Sequence, residues 1–292
     1  MEGIGFIGLG KMGVPILKNI MRKHQVLGVY NRTATRAQPY AALDMKIFRD
    51  PWEVAARCDI IFLMLSDSKA VNEVMHGKKG ILGNLGTGKI VVDLSTIHPD
   101  DSVRIAAEVR ERNAEFIDSP VIGSVPVAEK GELVTVAGGS REAFDAVKPI
   151  LESFSNRIFY MGLNGSGLKM KLVNNLLMGA NLAVLSESLL FGEKLGIPRE
   201  KQIEILSSGA ASSKILELKK EPLLNEDFLP QFLLSHEYKD LNYALDLARS
   251  SREPVPISGA IVQFYAAAMS IGLGNLDFSS VLRAFKALRG MS

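Results

Sequence analysis

Over roughly the first 160 residues, short apolar runs alternate with amphipathic stretches, and each change of period marks a change of element. The runs Ile4–Ile7, Gln25–Tyr30, Ile60–Leu65, Lys89–Asp93, Glu115–Pro120, Leu133–Gly138 and Arg157–Met161 predict strands. Val14–Arg22, Pro51–Arg57 and Pro99–Arg112 read as helices between them. This alternation predicts an α/β domain over residues 1–162 with a parallel, doubly wound sheet. After Gly162 the strand signal stops. Helical patterns broken at Gly196-Ile197-Pro198, Glu221-Pro222 and Pro254-Val255-Pro256 predict an all-α domain over residues 163–292. The apolar stretch Ile257–Leu273 contains Gln263, Ser258 and two glycines and has no flanking charge anchors, so it reads as a helix buried among helices. No fixed-period repeat appears.

Composition supports two domains: 292 residues with 47% hydrophobic positions can fill more than one core. Lys plus Arg number 34 against 32 acids, a net charge of +2, which creates no field for nucleic acid or an anionic membrane. Cys58 is the single cysteine; it reads as a small buried hydrophobe and suits a reducing cytoplasm. A strand pattern starting almost at Met1 leaves no signal-peptide pattern there, so a cytoplasmic location is expected. The four histidines, His24, His76, His98 and His236, have no metal-ligand spacing, and no metal site is expected.

The first strand runs straight into Gly8-Leu9-Gly10-Lys11-Met12-Gly13. Glycine at these three spacings permits a tight turn, backbone approach to a pyrophosphate and close packing of the next helix, whose N-terminus favours phosphate. The strand before and the helix after give this Gly-x-Gly-x-x-Gly the context of a dinucleotide site. The second strand ends in Asn31-Arg32-Thr33, where an acid would select an unmodified ribose. A guanidinium beside a hydroxyl suits a 2′-phosphate, so NADP is expected over NAD; the alternative is a solvated arginine after a strand.

Three more strands end in polar residues: Leu65-Ser66-Asp67, Asp93-Leu94-Ser95-Thr96, and Asp118-Ser119-Pro120-Val121-Ile122-Gly123-Ser124. These positions fit either ligand contacts beyond the carboxyl ends of strands or helix caps, and Thr96, three residues before Pro99, illustrates both. At the domain boundary Gly167-Leu168-Lys169-Met170-Lys171-Leu172-Val173-Asn174-Asn175 opens a long helix. Lys171 and Asn175 share a face, one turn apart. Two adjacent asparagines are poor helix formers and need another reason to be there. A lysine in this apolar setting is a candidate general acid or base.

Taken together, these motifs resemble the β-hydroxyacid dehydrogenase family, near its 3-hydroxyisobutyrate dehydrogenases and glyoxylate or succinic semialdehyde reductases. The resemblance covers nearly the whole chain: the glycine fingerprint, G-x-x-x-K-x-x-N-N at Gly167, Lys171, Asn174 and Asn175, and K-D-L at Lys239-Asp240-Leu241. It implies an N-terminal Rossmann domain, a long linking helix and a helical domain that closes the site, with a homo-oligomer expected. It implies Lys171 as catalytic acid/base and Asn174 and Asn175 on the substrate side. Thr96 and Leu65-Ser66 fall near the nicotinamide, Lys239 at the cofactor, and Phe232 and Asp240 in the substrate pocket.

The chain departs from the family's usual D-A-P-V-S-G-G, because Ile122 replaces the serine. Either the pocket shrinks, or carboxylate binding shifts toward backbone N–H groups near Gly123 and the Ser124 hydroxyl. The expected reaction is reversible hydride transfer between NADP and a small hydroxy acid or aldehyde. 6-Phosphogluconate dehydrogenases resemble longer chains, and imine reductases usually replace the lysine. A non-catalytic NADP-binding scaffold or sensor is the alternative of another class, and the intact Lys171 argues against it.

Overall fold

The computed structural model describes residues 3–290. The strands β1 (Ile4–Ile7), β2 (Val26–Tyr30), β3 (Lys46–Ile47), β4 (Ile60–Leu63), β5 (Ile90–Asp93) and β6 (Glu115–Asp118) form one parallel sheet in the order β3-β2-β1-β4-β5-β6. Every residue of β1, β4 and β5 is buried, as a parallel sheet covered on both faces requires. Alternate strand residues feed two cores. Phe6, Phe62, Val92 and Ile117 meet α1 (Gly13–Met21), whereas Ile7, Ile61, Val91 and Phe116 meet α2 (Pro51–Arg57), α3 (Ser68–His76) and α4 (Pro99–Arg110). The strand order reverses between β1 and β4, which opens a crevice at their carboxyl ends.

The doubly wound fold is the one expected, but two of its expected strands lie elsewhere. β8 (Leu133–Ala137) and β9 (Ser155–Tyr160) join β7 (Val121–Ile122) in a separate three-stranded sheet, with β7 antiparallel to β8. The cause is the turn after β6. Pro120 has no amide to continue a ladder, and Gly123 takes φ +141 where a Cβ would come within 2.6 Å of Leu133. The chain reverses, and an isolated Asp118–Gly138 bridge links the two sheets. The short edge strand β3 carried no apolar run long enough to be read as a strand. α5 (Val125–Glu129) and α6 (Arg141–Leu151) complete this region.

The second region is helical throughout: α7 (Ser166–Lys194), α8 (Arg199–Ser208), α9 (Lys214–Asn225), α10 (Leu234–Ser251), α11 (Pro256–Ser270) and α12 (Val281–Leu288). The chain divides into compact units at Met1–Lys171 and Leu172–Ser292, inside α7. The first turn of α7 belongs with the sheet because Asp118, at the end of β6, accepts the N–H groups of Gly165 (2.6 Å) and Leu168 (3.1 Å). The second unit has its own core, including Leu182, Leu189, Leu216, Leu241, Tyr265 and Phe285.

The apolar stretch Ile257–Leu273 forms most of α11, with Ile261, Val262, Tyr265 and Ala268 in that core. Among the described residues, α7 is instead the one helix long and apolar enough to cross a membrane by length and composition. It carries Val173, Leu177, Val184 and Phe191 at least half exposed, while Leu182, Ala183, Leu189 and Leu190 are buried. Cys58 is wholly buried under β1, and burial pushes its thiol up to about 12, as an inert core residue requires.

Candidate functional site

The three glycines after β1 have three different physical reasons. Gly8 sits at φ +105, and a Cβ there would lie 2.2 Å from the Met64 carbonyl oxygen. A Cβ on Gly13 would lie 2.0 Å from the Gly8 carbonyl oxygen, so α1 can start against the turn only without a side chain. Gly10 meets no atom within 4 Å, so its missing side chain leaves space that the protein itself does not use. A backbone opened toward solvent at the N-terminus of α1 is what a pyrophosphate needs.

Asn31 braces this turn. Its carbonyl accepts the Leu9 N–H (2.9 Å) and its amide donates to the Thr33 carbonyl (2.9 Å), while the Gly8 N–H bonds to Tyr30 O (3.0 Å). Lys11 and Met12 complete the loop. Beside it lies a cavity of about 330 Å³ bounded by Gly8, Asn31, Arg32, Thr33, Leu65 and Ser66 among others. Six cofactor positions read from the sequence therefore share one cavity. Arg36, Asp50, Glu73 and Lys79 line it too, and no sequence motif marked them. Burial first, then the Asp50 and Glu73 carboxylates, raise the Tyr30 phenol at this cavity above its ordinary value.

The structure decides which polar strand-end residues are caps. Asp67, and not Ser66, caps α3 by accepting the Ala70 N–H (2.8 Å), and the Ser66 hydroxyl donates to Asp67 (2.9 Å). The cap of α4 is His98, whose ring accepts the Asp100 N–H (3.2 Å), so half-buried Thr96 is not the cap. Ser124 begins α5 without a capping bond from its hydroxyl. Ile122 is half-buried in β7, opposite Val134. Gly123 is exposed.

Asp118 was missed as an organiser. It is fully buried and also accepts from the Ser102 hydroxyl (3.1 Å). Burial pushes its carboxyl up to about 6, against the hydrogen bonds that favour its charged form. A Cβ on Gly167 would come within 2.9 Å of Asp118 Oδ2 and 2.5 Å of the Val136 carbonyl oxygen, which explains the glycine of G-x-x-x-K. One turn further along α7, Lys171 is 7% exposed.

In the second unit the polar residues of α7 and α10 meet. Asn175 is wholly buried and donates to Asp240 Oδ2 (2.7 Å), while Asn174 donates to Asn175 Oδ1 (3.0 Å). Lys239 pairs with Asp240 Oδ1 (2.8 Å) and lies over the Tyr243 ring at 4.9 Å. Lys239 and Asp240 are thus not an exposed helical charge pair: Asp240 is 2% exposed. The adjacent asparagines have their reason in this network, which satisfies groups that a helix interior would otherwise leave unpaired.

Phe232 packs edge-on against Phe278 (5.7 Å) and His236 (6.0 Å), and its N–H donates to Asp277 (3.1 Å). Glu237 is a second residue that was missed, wholly buried one turn before Asp240. Its signal was Gly179 in the middle of α7, where a Cβ would lie 2.3 Å from the Glu237 carboxylate. Among the described residues no group of His, Cys, Asp and Glu is gathered as a metal site.

Residues 3–162 match the family model of the NAD binding domain of 6-phosphogluconate dehydrogenase, and residues 165–285 match that of the NAD-binding region of NADP-dependent 3-hydroxyisobutyrate dehydrogenase. The chain is 35% identical to the chloroplastic glyoxylate/succinic semialdehyde reductase 2 of Arabidopsis thaliana, over 98% of this chain and 80% of that protein. It is 31% identical to 2-(hydroxymethyl)glutarate dehydrogenase of Eubacterium barkeri, over 99% and 96% of the two chains. The structure of Mycobacterium tuberculosis 3-hydroxyisobutyrate dehydrogenase with L-serine superposes with a TM-score of 0.88 at 25% identity, covering 98% of this chain and 99% of that one.

Proposed function

The chain belongs to the β-hydroxyacid dehydrogenase family of NAD(P)-dependent oxidoreductases acting on CH–OH groups, and on that premise we propose an NADP-preferring enzyme with Lys171 as its general acid/base. Its substrate is a small β-hydroxy acid of the 3-hydroxyisobutyrate kind or the related semialdehyde. The observation that carries this reading is the α7 motif itself. Lys171 is nearly buried, and one turn on, Asn175 is wholly buried and hydrogen-bonded to Asp240. Burying a polar side chain is costly unless it is hydrogen-bonded, and the bond to Asp240 meets that cost for Asn175 while it fixes the amide one helical turn from Lys171.

A nicotinamide held there would supply or accept the hydride. The protein handles the proton: Lys171 as ammonium donates it to the developing alkoxide in reduction, and as amine removes it from the hydroxyl in oxidation. Asn175, fixed by Asp240, orients the oxygen. The cofactor's fit rests on the open space at Gly10 and on the cavity shared by Arg32 and Thr33. Arg32 beside Thr33 supports NADP over NAD through charge-assisted bonds to a 2′-phosphate.

A second reading, reduction of glyoxylate or succinic semialdehyde, is favoured by the 35% identity to the Arabidopsis reductase. The test is absorbance of the reduced nicotinamide with NADP or NAD. The panel is 3-hydroxyisobutyrate, 3-hydroxypropionate and serine for oxidation, with glyoxylate and succinic semialdehyde for reduction. Lys171→Ala should fold, bind NADPH as the wild type does, and lose about 10²–10⁴ in kcat. Wild-type turnover in that variant rejects the mechanism. Tight NADPH binding with no turnover on any substrate leaves the scaffold or sensor reading.

A further inference from the structure

The end of β2 lacks the acid that would bind an unmodified ribose, yet a carboxylate reaches the same cavity from another element. Glu73, on the cavity-facing side of α3, lies 3.7 Å from the Arg32 guanidinium. The other acid of the cavity, Asp50, is occupied: it caps α2 through the Glu53 N–H (2.9 Å) and pairs with Lys79 (3.0 Å). Glu73 has no such structural duty, and its pair with Arg32 is well solvated, the two side chains being 63% and 83% exposed. A solvated pair of this kind holds little structure together and separates easily. Its charge still acts on whatever Arg32 is meant to bind.

Resting on the cofactor reading above, we infer that Glu73 sets how far this site distinguishes NADP from NAD. Its carboxylate competes with a 2′-phosphate for Arg32 and repels that phosphate, and it offers an unmodified 2′-hydroxyl the acceptor that β2 does not provide. The cavity is therefore a dual site, with Arg32 favouring one cofactor and Glu73 the other. Repulsion between a carboxylate and a phosphate carrying nearly two charges, screened by moderate salt, weakens binding by about threefold to tenfold.

The test is NADPH and NADH dissociation constants by nucleotide fluorescence, with wild type, Glu73→Gln and the charge control Glu142→Gln on the exposed start of α6. Glu73→Gln should tighten NADPH about threefold to tenfold and leave NADH unchanged or weaker. The change should shrink in 0.5 M salt, because both side chains are solvated. Glu142→Gln should leave the NADPH-to-NADH ratio as in the wild type. A ratio unmoved in Glu73→Gln, or moved equally in both variants, overturns the inference while leaving the cofactor reading intact. If the wild-type protein binds neither nucleotide, the cofactor reading itself fails.

Discussion

The glycine turn after β1 and the polar network between α7 and α10 are built from opposite materials. At the turn the working surface is backbone, and the sequence contributes by leaving side chains out: Gly8 and Gly13 have no room for a Cβ. Between α7 and α10 the working surface is side chain, and Asn174, Asn175, Asp240 and Lys239 satisfy one another in sequence. A backbone site fails when an atom is added, and a side-chain network fails when one is taken away. Asp118 combines the two, a carboxylate that holds the backbone N–H groups at the start of α7.

Adding one methyl group tests the first half most severely. Gly13→Ala should lose about 4 kcal/mol of stability in urea unfolding, because the clash is with the Gly8 carbonyl and neither partner can rotate away. Gly10→Ala meets nothing and should unfold within about 1–2 °C of the wild type, yet bind NADPH at least about tenfold more weakly. Equal stability loss in both variants would show that the glycine positions do not have separate roles.

The mixed case is read by pH. Folding raises the Asp118 carboxyl to about 6 from the 3.8 of an exposed group, so the native state favours its protonated form. The associated stability is fully present below about pH 4 and is lost as pH rises through 6. Between pH 4 and pH 7 the wild type should therefore lose about 2 kcal/mol relative to Asp118→Asn. The comparison with the variant matters because Asp277 and Glu226, whose carboxyls are held below their ordinary values, contribute the opposite slope in both proteins. Parallel stability curves for the two would put the titration elsewhere.

The smallest effect belongs to the side-chain network. Asp240→Ala removes the acceptor of the Asn175 amide and the carboxylate beside Lys239 and should cost about 1–2 kcal/mol, while Asp240→Asn, which keeps an acceptor, should cost less. Urea midpoints for the two variants decide it. Identical values would mean that the ion pair with Lys239, and not the hydrogen bond to Asn175, holds the network.

Much of this was legible in the order of residues, for reasons that are local. The strands β1, β2, β4, β5 and β6 and the helices α1, α2 and α4 follow from hydrophobic period, and the glycine turn from a spacing whose sterics hold wherever the chain adopts that path. Lys171 and Asn175 fall one turn apart because a helix has 3.6 residues per turn. Tertiary structure decided what depends on partners far along the chain. The periodicity of residues 133–160 announced strands but could not say which sheet they join, since pairing followed from the reversal at Pro120 and Gly123. Glu237 looks like an ordinary surface acid in sequence and Asp118 like one more polar strand end; packing removed both from water, and there Asp118 became an organiser. Glu73 is likewise silent as a letter 41 positions after Arg32, and the parallel β1–β4 pairing brings the two to one cavity. Local sterics and helical period are written residue by residue, whereas burial, charge proximity and strand partnership exist only once distant segments have met.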